Sequence, residues 1–185
     1  MDLAPLATPD ACDGWSAHYD DPDNGYFAMD ETELLPMLDR LPAGVAVDAA
    51  CGTGRYAAHL AARGHEVHGF DTSPGMLALA RHKVPDGHFS LADLATMPIA
   101  DGSADVVVNT AAMTRVEDLG PVFAEAARVL RPGGHLIVSD VRGYYVGSDR
   151  TPVVEETPAH LGAGAAHAAH GRRRCLIVWD YELER

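Results

Sequence analysis

The segment Val45–Arg55 (VAVDAACGTGR) carries the strongest structural signal of the chain, because it passes from an apolar strand through a glycine turn into a helix. Val45–Val47 predicts a buried strand. Gly52 and Gly54 then predict a turn in which no Cβ atom blocks the approach of a ligand. The alanine-rich helix that follows, from about Arg55 to Ala62, presents free N–H groups and the positive end of its dipole to the same turn.

A second predicted strand, His65–Asp71 (HEVHGFD), ends in a carboxylate. Asp71 lies about 20 residues beyond the glycine turn, the offset at which an acid accepts hydrogen bonds from two ribose hydroxyls. Strand, glycine turn, helix and strand together predict a β-α-β unit that binds a nucleoside.

The spacing of Gly52, Gly54 and Ala57 also fits the relaxed fingerprint of dinucleotide-binding proteins, which on its own is a weak signal. Two carboxylates argue against NAD. Asp48 ends the first strand ahead of the glycines, where it would repel a pyrophosphate and attract a ligand that carries an ammonium or a sulfonium. Asp93 follows a third predicted strand, where it could accept a hydrogen bond from an adenine amino group.

With these residues, the chain resembles the class I S-adenosylmethionine (SAM)-dependent methyltransferases from about residue 15 to residue 142. The matches occur in the family's order, as the glycine-rich motif, the ribose acid, the adenine-contacting pair, the fourth strand and the turn before the fifth strand. They are residues 47–54, Asp71, Asp93 with Leu94, residues 105–109 and residues 129–138. The resemblance implies an α/β fold: a doubly wound, mostly parallel sheet of the Rossmann-like methyltransferase type, with helices on both faces and a reduced C-terminal antiparallel element.

The resemblance also implies that SAM and its product, S-adenosylhomocysteine, bind to this chain, with Asp48 facing the methionine end. A short helix expected over Cys12–Asp20 would cover SAM and bring Tyr19 to the methionine carboxylate. Alternatively, Trp15 and Tyr19 form an apolar face packed on the core. The residues expected to bind SAM are Tyr19, Asp48, Ala50, Gly52, Gly54, Asp71, Thr72, Met76, Asp93, Leu94 and Asn109.

The segment Asn109–Val116 leaves the predicted fourth strand at the edge where open α/β sheets place ligand chemistry. Close relatives often carry a histidine where this chain has Arg115, and an arginine cannot act as a base near neutral pH. Arg115 would instead bind a carboxylate or phosphate of the acceptor, or else it is a surface residue that caps the next helix. The candidate catalytic or pocket residues are Arg115, His18 and Tyr144, with Tyr145 beside them.

The resemblance implies methyl transfer from SAM to an oxygen or nitrogen of a small-molecule acceptor, driven mainly by proximity and the exclusion of water. The Asn-Pro-Pro-Tyr motif is absent after the fourth strand, which disfavours DNA and protein amides as acceptors. Two alternatives stay open. One is an enzyme of the same fold that cyclises or cleaves SAM, or uses it without intermolecular methyl transfer. The other is a non-catalytic methyltransferase-fold partner subunit.

Composition limits the partners and the compartment. A formal net charge of −13 repels phosphate groups, so we expect neither nucleic acid nor an anionic membrane surface as a partner. No apolar run approaches the roughly 20 residues that span a membrane, and the N-terminus does not read as a signal peptide. Three widely spaced cysteines indicate neither a disulfide framework nor a zinc site. These features predict a cytoplasmic protein.

The Gly/Ala/His-rich stretch 159–171 raises the question of a metal site, because its three histidines would share one face of a helix. Two glycines weaken such a helix by about 1 kcal/mol each, and no carboxylate lies at ligand spacing. We therefore expect a mobile surface segment or lid there, and no metal in the protein. Three further histidines are expected at the surface, namely His59, His65 and His68.

Several element boundaries can be predicted from capping residues. Thr32 is expected to cap a helix that ends near Leu41, and Ser73 to cap a helix that begins at Pro74. The sequence from Arg131 to Gly134 should end a helix over residues 119–130 and lead into a fifth strand over residues 135–140.

The whole chain is expected to form one domain, with cap helices in residues 1–41, a nucleoside-binding core in 45–140 and a shortened C-terminal segment in 141–185. Within that segment, Arg174–Tyr181 predicts a clear strand and Pro152–Glu155 a weak one. A parallel core of five strands would leave an open edge, and the last strand has a strongly apolar face. We therefore expect a homodimer through the C-terminal strand, the alternative being a monomer in which that strand packs within its own chain.

Overall fold

The computed structural model describes residues 8–21, 25–141, 165–171 and 174–182. The α-helices are α1 (Thr8–Trp15), α2 (Gly25–Leu38), α3 (Arg55–Ala62), α4 (Pro74–Lys83) and α5 (Leu119–Val129), and Ser16–His18 and Met113–Arg115 form 3₁₀ helices. The strands are β1 (Val45–Ala49), β2 (Glu66–Asp71), β3 (His88–Leu91), β4 (Ala104–Thr110), β5 (Leu130–Val141), β6 (Ala165–Gly171) and β7 (Arg174–Glu182). In the ranges just given, no helix has the length and apolar composition to cross a membrane.

All seven strands join one sheet with the order β3-β2-β1-β4-β5-β7-β6. Strands β1 to β5 are parallel, whereas β7 pairs antiparallel with β5 and β6 pairs antiparallel with β7. The chain builds outward from β1 to β3 and then returns to place β4 on the other side of β1, so the strand order reverses there. Open α/β sheets bind ligands beyond the carboxyl ends of the strands at such a point. The predicted doubly wound sheet with an antiparallel C-terminal element is confirmed.

Helices cover both faces of this sheet, as predicted. One core cluster joins Leu34, Leu60 and Leu77, which come from α2, α3 and α4, to residues of the central strands. The other cluster brings Val129 of α5 against the opposite face. In β4, Val106 and Val108 belong to the first cluster and Val107 to the second, which explains why this strand is apolar at every position.

The helix before β1 is longer at its start than predicted. Helix α2 begins at Gly25, so Thr32 lies inside it and the predicted N-cap there is wrong. Phe27 and Asp30, in the additional turns, are both buried, and their packing on the core extends the helix. The helix predicted over Cys12–Asp20 is found as α1 followed by a 3₁₀ turn.

At β5, a predicted helix terminator is part of the strand. Helix α5 ends at Val129, but Leu130 already pairs with Ala104 of β4. The next pair joins His135 to Val106, so residues 131–134 form an irregularity in the ladder instead of a separate turn. By contrast, Ser73 caps α4 as predicted, since its hydroxyl accepts a hydrogen bond from the Met76 N–H at 3.2 Å.

His65 is buried, which corrects its predicted place at the surface. Its Nδ1 accepts a hydrogen bond from the Gly44 N–H at 3.3 Å, at the end of β1 opposite the glycine turn. Burial lowers the pKa of this imidazole. His59 and His68 are partly exposed.

The C-terminal portion also differs from expectation. Residues 165–171 form β6, and their backbone is paired with β7. The mobile surface segment or lid expected over 159–171 is therefore wrong for this part, and the helix on which a metal site would have depended is not found there. The strand predicted over Arg174–Tyr181 is present as β7, and it covers the edge of β5 within the same chain. The open edge on which the homodimer prediction rested is therefore not there. Tyr144, Tyr145, His160 and Pro152–Glu155 lie outside the described residues.

Candidate functional site

The candidate site lies at the carboxyl ends of β1, β2 and β4, around the glycine turn. The turn is closed by hydrogen bonds from the Cys51 N–H to the Phe70 carbonyl at 2.9 Å and from the Gly54 N–H to the Cys51 carbonyl at 2.8 Å. Ala50 has a positive φ of 64° and Ala111, after β4, one of 55°. Such backbone strain in residues other than glycine concentrates at functional sites, and here it flanks the point where the strand order reverses.

The surroundings of the two glycines in the turn differ. A Cβ atom on Gly54, whose φ is +79°, would lie 2.9 Å from the Cα and Cβ atoms of Ala80 in α4. A Cβ atom on Gly52, whose φ is +51°, would meet the Tyr19 ring at 3.6 Å, an ordinary contact. Gly54 therefore lets α4 approach the turn, whereas the sequence pattern predicts that a ligand approaches there.

Asp48 is buried at the end of β1, with 1% of its surface exposed. Its Oδ2 accepts a hydrogen bond from the Ala57 N–H in the first turn of α3 at 2.9 Å. Its Oδ1 is buried and has no hydrogen-bond partner among the described residues. Desolvation, together with the nearby charge of Asp71, raises the pKa of Asp48 to about 7.

Asn109, at the end of β4, also has a buried side-chain oxygen that accepts no hydrogen bond from the described residues. Its Nδ2 donates to the Ala49 carbonyl at 2.7 Å, while no described residue donates to its buried Oδ1. Strands β1 and β4 are neighbours, and Ala49 pairs with Asn109 in their register. Two buried oxygens that lack donors thus mark the ends of adjacent strands, and buried polar atoms of this kind call for a bound donor.

Asp71 ends β2 beside the glycine turn. Its Oδ2 accepts from the Gly52 N–H at 2.8 Å and its Oδ1 from the Ser73 N–H at 2.9 Å. Each carboxylate oxygen has a second lone pair, so both can still accept from a ligand hydroxyl. Asp71 is partly exposed, which leaves that approach possible.

The remaining residues expected to bind SAM lie along β2, α4 and the segment after β3. Thr72 is exposed, whereas Met76 is buried in α4. Asp93 is exposed, and its Oδ1 accepts from the Ala95 N–H at 2.8 Å. Leu94 is partly buried and packs against the core cluster that contains Val129.

Tyr19 lies over the glycine turn and also packs on the core. This packing agrees with the apolar face predicted for its segment, whereas its contact with SAM stays a prediction. Its ring centroid is 5.0 Å from that of Trp15 and 5.0 Å from that of buried Phe27. Desolvation raises the pKa of the phenol to about 12. Trp15 itself is exposed, so the apolar face does not extend as far as predicted.

Arg115 lies near the same edge, between the loop after β4 and α1. It is exposed, and its Nη1 is 3.6 Å from the Sγ of Cys12. The Thr114 N–H donates to Oδ2 of Asp140 at 2.9 Å, which ties the loop to the end of β5. His18 is exposed and forms an ion pair with Asp21 at 3.5 Å.

A polar network that the sequence did not predict ties the N-terminal segment to the turn. Oδ1 of Asp20 accepts from the Thr53 hydroxyl at 2.9 Å and from Arg55 at 3.2 Å, and Asp20 also forms an ion pair with Lys83. Nη1 of Arg55 also donates a hydrogen bond to Oε1 of Glu31 at 2.7 Å. The partners of Asp20 come from the glycine turn, α3 and α4, which are far from it along the chain.

Asp30 was also missed. It is fully buried in α2 and accepts hydrogen bonds from the Tyr56 and Ser139 hydroxyls. Desolvation raises the pKa of Asp30. Asp30 could have been found as an acid on the core-facing side of α2, but only if the helix had been predicted to begin before Thr32.

Comparison with known proteins identifies the family. The family described as a methyltransferase domain matches residues 47–138. The chain is similar to a malonyl-[acyl-carrier protein] O-methyltransferase of Serratia marcescens (35% identity over 57% of this chain and 42% of that protein). It is also similar to a demethylmenaquinone methyltransferase of Beutenbergia cavernae (33% identity over 65% of this chain and 55% of that protein).

The fold is shared with the PH0226 protein of Pyrococcus horikoshii OT3, with a TM-score of 0.71 and 20% identity over 90% of this chain and 95% of that one. The chain spans about half, or less, of the length of the two curated relatives named above. The family match covers the glycine turn, Asp71, Asp93, the end of β4 and most of β5. The chain belongs to the class I SAM-dependent methyltransferase family.

Proposed function

We propose that the protein binds SAM and transfers its methyl group to an oxygen or nitrogen of a small-molecule acceptor. The observation that carries the proposal is a pair of buried oxygens to which no described residue donates a hydrogen bond, Oδ1 of Asp48 and Oδ1 of Asn109, at the ends of β1 and β4. The methionine end of SAM offers an ammonium donor, and a buried carboxylate favours a positively charged ligand. When bound, SAM supplies a methyl group that its sulfonium has already activated.

The other contacts of SAM are proposed by the same reasoning. Asp71 would accept from the two ribose hydroxyls with the lone pairs that Gly52 and Ser73 leave free. Asp93 and Leu94 would border the adenine, the first as an acceptor and the second as an apolar surface. Further contacts are proposed for Tyr19, Ala50, Gly52, Gly54, Thr72 and Met76.

The protein's own part in the reaction is to orient the acceptor and to exclude water. Tyr19 stays protonated near neutral pH, because the pKa of its phenol is raised to about 12, so it would donate a hydrogen bond and not act as a base. Arg115, exposed at the same edge, would bind a carboxylate or phosphate of the acceptor. Methyl transfer from a sulfonium needs no Lewis acid, so we propose SAM as the sole cofactor of the reaction.

Several wider expectations remain part of the proposal. The chain would act as one domain in the cytoplasm, on a small molecule and without nucleic acid, in keeping with its net charge of −13. Self-association through the C-terminal strands is also proposed. Two of the relatives are named malonyl-[acyl-carrier protein] O-methyltransferase and demethylmenaquinone methyltransferase, and the first name gives oxygen as the methylated atom, in keeping with the proposal.

Calorimetry with SAM and S-adenosylhomocysteine, followed by incubation with methyl-labelled SAM and a panel of small phenols, carboxylic acids and amines, tests the proposal. We expect both ligands to bind in the low-micromolar range or tighter, and label to move to an acceptor. Asp71→Ala should weaken SAM binding by about 1.5–3 kcal/mol without unfolding the protein. Label retained in methylthioadenosine would favour cleavage of SAM instead, and absence of SAM binding would favour a non-catalytic partner subunit.

A further inference from the structure

A cluster of three metal-ligating side chains lies away from the candidate site, on the strands at the β3 edge of the sheet. Glu66 and His68 are two residues apart on β2, so their side chains share one face. His88 begins β3 and pairs directly with His68 in the parallel register. One potential ligand atom from each of the three residues lies within 4.8 Å of the others.

The geometry converges on one carboxylate oxygen. Nε2 of His68 is 3.1 Å from Oε1 of Glu66, and Nε2 of His88 is 4.0 Å from the same oxygen. The two imidazole rings lie 4.9 Å apart between centroids, with an angle of 35° between their planes. In a tetrahedral site with metal–ligand bonds of roughly 2.1 Å, ligand atoms are about 3.4 Å apart, so small rotations of the side chains would complete the set.

The surroundings allow these rotations and the entry of an ion. The side chains of Glu66 and His88 are 60% and 62% exposed, and that of His68 is 23% exposed. His68 is held by the backbone of β2 between β1 and β3, and it thus supplies a fixed ligand between two adjustable ones. Two imidazoles and one carboxylate suit Zn²⁺ and related first-row divalent ions, with water in the fourth position.

We propose that Glu66, His68 and His88 form a Zn²⁺ site that links β3 to β2. Strand β3 has only four residues and pairs with β2 alone among the described strands, so a metal bridge would stabilise an otherwise weakly held edge. The bridge lies on the same two strands whose carboxyl ends lead to Asp71 and Asp93. The metal's role is structural, and the transfer reaction proposed above does not depend on it.

The test is a Zn²⁺ titration of tag-free, metal-stripped protein by calorimetry, with wild type compared with His88→Ala and Glu66→Gln. His82→Ala is the matched control, because His82 is also exposed but lies on α4 outside the cluster. We expect wild type and His82→Ala to bind one Zn²⁺ that His88→Ala and Glu66→Gln bind at least about tenfold more weakly. Apart from His82 in its own variant, the histidines and cysteines outside the cluster are the same in all four proteins, so their binding of Zn²⁺ cancels in the comparison.

Thermal unfolding supplies the second readout, since an ion that binds only the folded state raises the melting temperature. We expect Zn²⁺ to raise the melting temperature of wild type and of His82→Ala, and at the same concentration to raise that of His88→Ala less. His88 is exposed, so its variant should keep the wild-type circular dichroism without metal, which a control spectrum checks. Equal Zn²⁺ affinity and equal thermal shift in wild type and His88→Ala would overturn the proposal and leave the three residues as a surface ion pair.

Discussion

At the scale of single residues, burying Asp48 is costly, because it is a buried carboxylate with one oxygen that accepts no hydrogen bond from the described residues. Asp48→Asn keeps the shape and can still accept from the Ala57 N–H, but it removes the charge. We expect SAM binding to weaken by about 1.5–3 kcal/mol, since a charge-assisted hydrogen bond is lost. Calorimetry measures this, and an unchanged affinity would show that Asp48 does not face the ammonium.

The same residue predicts a pH dependence of the ligand-free protein. The pKa of Asp48 is about 7 in the fold, whereas that of an unfolded aspartate is about 3.9. Between these values the folded protein binds the additional proton, so the stability that Asp48 contributes is present at low pH and is lost as pH rises through about 7. Asp48→Asn cannot ionise at this position, so it does not lose this stability as pH rises.

Urea unfolding at pH 5, 6, 7 and 8 checks this prediction. The free energy of unfolding of Asp48→Asn, relative to wild type, should increase from pH 5 to pH 8. Groups other than Asp48 titrate equally in both proteins and cancel in the difference. A difference that is constant over this range would mean that the pKa of Asp48 is not raised.

Because Gly54 packs against α4, we expect its substitution to destabilise the fold itself, whether or not a ligand is bound. In Gly54→Ala the new Cβ atom would meet the Ala80 backbone at 2.9 Å, and φ is already +79°. We expect a loss of about 2–4 kcal/mol in unfolding free energy, from overpacking together with the cost of a left-handed alanine.

Gly102→Ala is the matched control for this prediction. Gly102 also has a positive φ, of +58°, but no described atom lies within 4 Å of the position of its added Cβ atom. It should therefore lose only the conformational part, about 1–2 kcal/mol. Equal losses of unfolding free energy in the two variants, measured by urea unfolding, would show that the contact with α4 is not what requires glycine at position 54.

The residues of the site were predictable to different degrees. The positions of Asp48 and Asp71 could be predicted, because each lies at the end of a strand and hydrophobic patterning locates such strands well. The contact between Gly54 and Ala80 depends on the packing of two helices, which spacing along the chain does not encode. The same holds for His88, whose neighbour His68 is set by the register of two parallel strands.

At the scale of elements, the N-terminal segment is held over the glycine turn by carboxylates. Asp13 accepts from the Ser73 hydroxyl at 2.8 Å and from the Gly75 N–H at 2.6 Å, while Asp20 holds Thr53 and Arg55. These contacts position Tyr19 above Gly52. If this segment covers bound SAM, loosening it should speed the release of the ligand.

Asp20→Asn tests this role of the segment. The variant loses the charge that attracts Arg55 and Lys83, and we expect SAM to bind about tenfold more weakly, mainly through faster dissociation. Asp21→Asn is the matched control, because Asp21 is exposed and pairs with His18. Stopped-flow measurement of SAM release should distinguish them, and equal release rates in the two variants would count against a closing role.

Elements were predicted best where one local signal sufficed. Ser73 and Pro74 marked the start of α4, and the apolar run 106–108 marked β4. Helix α2 was misjudged because a buried acid, Asp30, disguised the turns that pack on the core. Strand β6 was missed because its Gly/Ala/His sequence has little strand propensity, so its pairing with β7 determines its conformation.

At the scale of the molecule, β7 closes the edge of β5, so the sheet ends at β6 instead. β6 pairs on one side with β7, and no described strand pairs with its other side. A seven-residue edge of this kind is a template for pairing with a second copy. We therefore predict a homodimer in which two β6 edges meet. Light scattering at micromolar concentration should give twice the chain mass of 19.7 kDa.

Two proline variants examine where that contact lies. In an antiparallel ladder, successive residues direct their N–H groups to opposite sides, so of His167 and Ala168 one donates toward β7 and the other outward. Proline removes that donor. We expect one of His167→Pro and Ala168→Pro to dissociate the dimer with little change in unfolding free energy, and the other to destabilise the fold. A wild-type mass of one chain, or dissociation by neither variant, would contradict pairing through β6.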